Sequence, residues 1–166
     1  MRNVPRPGHC VAAFFLLFLL FCWFGMQAFH ECGHVLATWC SGATVERVEF
    51  WPISRTDTEN VRSPLLVHGA GAVFGAIFPM LIWGFVRLVR RETAYLFRFF
   101  AGFCLIANGA YIGGDFSATG PTDAGLLIEH GMSRWILVSF GVLCVSAGLF
   151  LWHGQSRFFF PDRGQS

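Results

Sequence analysis

From Val11 to Phe29 the chain carries no charged side chain, and this run limits the fold more than any other feature. About 19 residues on a helix rising 1.5 Å each are enough to cross the ~30 Å of hydrocarbon in a bilayer. In lipid the backbone must satisfy its own hydrogen bonds, so the run is expected to be helical. The helix is expected to continue past it to about Cys40, where Ser41-Gly42 stops it. A cleaved signal peptide is the competing reading. A cut after Ala28 would put Met26 where a small residue is wanted, and it would leave the next residues on a frayed end. An uncleaved first helix is therefore expected.

Those next residues are His30-Glu31-Cys32-Gly33-His34, an H-E-x-x-H pattern. Residues four apart share a helix face, so His30 and His34 can bind one Zn²⁺ through imidazole nitrogens. Glu31 sits beside them, placed to act as a base on a water at the metal rather than as a ligand. Polar groups in an apolar span are costly unless paired or metal-bound. The plainer alternative is a hydrogen-bonded histidine pair with Glu31 as an incidental charge.

Composition widens the membrane reading to the whole chain. Of 166 residues, 54% are hydrophobic and 13% charged, with 20 Phe and 6 Trp. A soluble domain of that length cannot hide so much apolar surface. The expectation is an all-α membrane protein, one polytopic domain over 1–166, with four transmembrane helices at about 11–40, 65–86, 94–112 and 135–152. It is expected to be multi-pass in a cell inner or plasma membrane. The net charge of +2 is small and scattered, which argues against a nucleic-acid partner. Cys22, Cys32, Cys104 and Cys144 lie in the spans and read as small hydrophobes.

Between the first two spans, residues 43–64 mix charges with Phe50 and Trp51, as at a bilayer interface. Val45 to Phe50 partly alternates and suits a short strand, broken at Trp51-Pro52. A short interfacial hairpin or a plain solvated loop fits here. In the second span Gly71 and Gly75 form a G-x-x-x-G face for close helix approach. His68 reads as an interfacial histidine, with a ligand or oxyanion role as the alternative. Phe158-Phe159-Phe160 in the tail is expected to rest at the interface.

The parity of four spans bears on the metal. The first helix carries His30 and His34 near its far end, the second returns, and the third delivers Asp115 and Asp123 to the same side. A catalytic zinc keeps three protein ligands and one open position. Either aspartate can supply the third, and either can instead be a helix cap or a turn residue.

These residues resemble the site-2 protease family of intramembrane zinc metalloproteases, the M50 class. That family has H-E-x-G-H on a first core helix, then an interfacial hairpin, a glycine-rich second helix and an Asp-Gly-type motif on the third. His30-Glu31-Cys32-Gly33-His34 matches the first element in full. Gly69-Ala70-Gly71 looks like the start of the second. Thr122-Asp123-Ala124-Gly125 looks like a variant of Leu-Asp-Gly, with Thr before the Asp and Ala after it. The resemblance spans roughly residues 11–130. It implies His30, His34 and Asp123 as zinc ligands and Glu31 as general base, cutting membrane-anchored protein substrates beside the bilayer. Two other readings stand beside it. One is a non-catalytic relative that binds metal or a partner. The other is a haem-binding bundle drawing on His30, His34, His68 and His130. For orientation, most of the Arg residues lie on the side of the N-terminus. The positive-inside rule then puts the motif toward the exterior, whereas the resemblance implies a site nearer the cytoplasm.

Overall fold

The computed structural model describes residues 7–50, 54–115 and 122–159. The order is α1 (Pro7–Cys40), β1 (Thr44–Glu49), β2 (Arg55–Glu59), α2 (Pro64–Val89), α3 (Ala94–Gly114), α4 (Asp123–Glu129), α5 (Arg134–Trp152) and α6 (Ser156–Phe159). Four of the helices, α1, α2, α3 and α5, are long and apolar enough to cross a membrane. The protein is all-α apart from one small hairpin. Leu17, Phe21, Leu81, Phe85, Leu143 and Phe150 point away from the bundle and are more than half exposed. Such all-round apolar helices are stable where lipid, not water, covers them.

Local sequence explains the ends. α1 closes with Gly42 at φ +72°. The Ala43 N–H bonds back to the Thr38 carbonyl at 3.0 Å and the Gly42 N–H to Trp39 at 3.1 Å, the paired closure that glycine in the left-handed region permits. α2 begins at Pro64, whose missing N–H costs nothing at a first helical position. β1 and β2 pair antiparallel, from Thr44 opposite Glu59 to Glu49 opposite Arg55. The loop after α1 is thus a hairpin with two strands. The break at Trp51-Pro52, residues 116–121 of the glycine-rich stretch and Phe160 fall outside the described residues.

α2 packs between α1 and α3, and α5 packs on α3. Small residues make this possible. A Cβ on Gly33 of α1 would lie 2.4 Å from the Ala70 carbonyl oxygen of α2, and one on Gly75 would lie 2.8 Å from Asn108 of α3. Gly109 and Gly113 of α3 meet Gly141 of α5 backbone to backbone; a Cβ on Gly141 would fall 2.7 Å from the Gly109 oxygen. Cys22 and Cys104 are fully buried in an aromatic cluster with Phe99 and Phe100. Cys32 differs from its reading as packing: it lies exposed on the outer face. Phe159 also turns inward, against Phe15 and Phe99 at ring distances of 5.5 and 5.2 Å.

The glycine seam gives a test. Gly141→Val should push α5 off α3 and lower thermal stability in detergent by about 1–3 kcal/mol, the usual cost of overpacking. Gly84→Ala, where a Cβ meets nothing within 4 Å, should leave stability unchanged or raise it. Circular dichroism melts of both variants check this.

Candidate metal centre

α1 runs about 1.5 Å per residue, so His34 sits roughly 10 Å inside its C-terminal end. The four-residue spacing turns His30 and His34 to one face, toward α2 and α3. Both are buried, as is Glu31 between them. α4 brings a third group. Thr122 caps it, its Oγ1 accepting the Gly125 N–H at 3.1 Å, and Asp123 is its first residue. Asp123 is therefore not the cap. Its Oδ2 lies 3.0 Å from His30 Nε2 and 3.3 Å from His34 Nε2, and the two Nε2 atoms are 3.1 Å apart. These three residues are the one group of three potential metal ligands among the described residues.

The outer nitrogens decide what this triangle can hold. His34 Nδ1 lies 2.7 Å from the Val67 carbonyl oxygen. A carbonyl only accepts, so Nδ1 carries the proton and Nε2 of the neutral ring presents a lone pair. His30 Nδ1 meets Asn108 Oδ1 at 2.7 Å, and the orientation of that amide is set by its Nδ2 donating to the Cys104 carbonyl at 2.9 Å. His30 Nε2 is then a lone pair too. Two lone pairs and a carboxylate oxygen converge within hydrogen-bond distance and repel unless one positive centre sits among them. A proton on one Nε2 is such a centre for that nitrogen and Asp123, and a metal cation is one for all three atoms. Ligands at 2.0–2.2 Å around a tetrahedral zinc stand ~3.3 Å apart, close to the 3.0, 3.1 and 3.3 Å found. The residues fit the metal.

Burial pushes the Asp123 carboxyl up, but hydrogen bonds and charge from His30 and His34 outweigh it and hold the group well below the usual carboxylate range. Gly71 of α2 closes the cradle: a Cβ there would lie 2.3 Å from His34 Nε2 and 2.7 Å from His30 Nε2. The Gly71/Gly75 face thus allows helix approach, and Gly71 also leaves room at the imidazoles.

A cavity of about 570 Å³ opens beside this centre, lined by the triangle, Glu31, His68, Tyr111 and strand β2. The hairpin leans on it. Thr56 Oγ1 donates to Glu31 Oε2 at 2.5 Å, and the Ser54 N–H donates to Gln27 Oε1 at 2.8 Å. Ser54, just before β2, through its backbone and Thr56, within β2, through its side chain thus meet residues 27 and 31, four apart on one helix face.

The other candidates separate. Asp115 ends α3 and accepts from Thr122 Oγ1 at 2.6 Å, outside the ligand group. His68 faces His130, ring centroids 6.1 Å apart, and lines the cavity without joining the triangle. The sequence reading gives no role to Asn108, the Val67 carbonyl, Thr56 or Tyr111. Asn108 had a signal, as a polar residue in an apolar span. The Val67 carbonyl has none, since backbone partners follow only from packing. No family model, curated protein or solved structure matches the chain.

Two variants probe the centre. Asn108→Leu removes the acceptor that fixes His30, and zinc affinity should fall about 10–100-fold. Gly71→Ala places a methyl among the donor atoms and should abolish zinc binding with helix content unchanged. Titration against a competing chelator measures both.

Proposed function

We propose that this protein is an intramembrane zinc metallopeptidase of the site-2 protease type, with His30, His34 and Asp123 as ligands and Glu31 as general base. The observation that supports it most is the convergence of two lone-pair imidazoles and one carboxylate, from two separate elements, beside a cavity that also holds Glu31. Structural zinc sites close all four positions with protein atoms. Here the described residues supply three, and the fourth direction is left to the cavity.

A zinc ion held by His30, His34 and Asp123 would supply Lewis acidity, bringing the pKa of a water there to about 7. Glu31 receives the proton of that water as its oxygen bonds to the peptide carbon. Glu31 then passes the proton to the leaving nitrogen as the C–N bond breaks. Thr56 holds one oxygen of Glu31, leaving the other for this transfer. Trp23, Met26, Ala107 and Leu126 supply apolar wall, where charge interactions are stronger than in water.

The substrate is a membrane-anchored protein. Its scissile carbonyl must leave any helix before it can be attacked, because an intact helix keeps that oxygen hydrogen-bonded. A cavity beneath a polar hairpin, about two helical turns from the end of α1, suits a segment unwinding near the interface. The same cradle speaks against haem. The Nε2 atoms of His30 and His34 lie 3.1 Å apart on one helix, facing each other rather than an iron held between two helices.

The test uses Glu31→Gln. Cleavage of co-reconstituted single-span proteins should fall about 10²–10⁴-fold with zinc still bound one per chain. Cleavage at the wild-type rate would reject the role of Glu31. A wild-type protein that holds zinc yet cuts no substrate in a broad panel would favour the non-catalytic reading.

A further inference from the structure

Tyr111 belongs to the wall of the same cavity but has no part in the metal centre or the base. It sits on α3 one turn beyond Asn108. Its ring stands edge-on to His30, centroids 5.6 Å apart at 76°. Its phenolic oxygen accepts the backbone N–H of Asp123 at 3.4 Å. Accepting uses a lone pair, so the phenol keeps its O–H proton, which lies within reach of the Asp123 carboxylate as well as of the cavity. The residue is 42% exposed, so it is accessible to a ligand.

Several neighbouring donors already have partners or are shut off, and His68 is the other donor that lines the cavity. The Asn108 amide is buried and joined to His30 and the Cys104 carbonyl. The Thr56 hydroxyl gives its proton to Glu31. Arg55 Nε is paired with Asp57 at 2.6 Å. The Gln27 amide nitrogen is sealed from solvent.

We infer that Tyr111 is the neutral hydrogen-bond donor to the scissile carbonyl oxygen. This rests on the peptidase reading. As water adds to the carbon, the C–O bond order falls and that oxygen gains negative charge. The hydrogen bond from the phenol then shortens and strengthens, because bonds to ionised acceptors are about twice as strong as neutral ones. Tyr111 keeps its proton throughout; the proton lost by water travels through Glu31 to the amine. An interaction stronger in the transition state than in the ground state raises rate rather than affinity for substrate.

The test is binding to the zinc-loaded full chain in micelles, with two probes bearing the same side chains. One is a phosphinic peptide, whose tetrahedral anionic centre mimics the charged oxygen. The other is a peptide thiol, which reaches the metal without such an oxygen. Tyr111→Phe keeps the ring against His30 and removes the hydroxyl. Phosphinic affinity should fall about tenfold or more, while thiol affinity stays within about twofold. No loss with the phosphinic probe overturns the inference, and so does equal loss with both, which marks a role in cavity shape. His68→Ala weakening the phosphinic probe while Tyr111→Phe does not would give the role to His68 and overturn it as well. If wild-type protein with zinc bound takes neither probe, the peptidase reading itself fails and this inference with it. A second variant covers loss of folding. Tyr95 and Tyr111 are the chain's two tyrosines, so 3-fluorotyrosine incorporated into Tyr95→Phe labels position 111 alone. The more acidic phenol should tighten the phosphinic probe, and an unchanged affinity overturns the inference.

Discussion

The hydrogen bond from His34 Nδ1 to the Val67 carbonyl, matched by His30 to Asn108, sets the chemistry of the centre. Each fixes a tautomer. Together they turn two lone pairs toward Asp123 in a region of low dielectric, where an uncompensated carboxylate costs several kcal/mol. The rest of the arrangement follows from holding those three atoms together. α2 must come close enough for a backbone oxygen to reach an imidazole, and Gly33 and Gly71 permit that approach. α3 must present an amide, and Gly75 gives it room. α4 must start where Asp123 can turn inward, and Thr122 caps it there. The cost of burying the site is offset by the surrounding apolar packing, as expected for polar groups kept inside a membrane protein.

The fold and the site were legible in the sequence to different degrees. The long uncharged run and its successors marked the spans because lipid permits few alternatives to a helix. The Ser41-Gly42 stop was readable because glycine takes up a backbone conformation there that few residues tolerate. The His30/His34 pair was readable because helix geometry alone aligns it. Parity of the spans put Asp123 and Asp115 equally within reach; the motif resemblance picked out Asp123, and the packing of α4 against α2 and α3 brings it to the histidines. A hairpin after the first helix was one of two readings, but its second strand could not be placed because Arg55–Glu59 carries no apolar alternation; it pairs through backbone and meets α1 through Ser54 and Thr56. The glycines joining α3 to α5 were passed over because their close approach needs both helices at once. Cys32 was misjudged because an uncharged span does not reveal which of its faces meets lipid.

With no relative to lend a function, the reading depends on how the elements cooperate. The hairpin touches Glu31, and α2 holds an imidazole. A short helix from the far side of the bundle delivers the carboxylate. A mere histidine pair would not need the carboxylate brought in from α4, the glycine gap at position 71, or the cavity on the remaining side. The cavity has both polar and apolar walls.

The most direct measurement is X-ray absorption at the zinc edge on purified protein equilibrated with buffered zinc. The account predicts one zinc per chain with two imidazole nitrogens and oxygen ligands at 2.0–2.2 Å, and loss of that signal in His34→Ala. A chain that takes up no zinc would contradict it. So would a zinc shell containing sulfur, or one unchanged when His34 is removed.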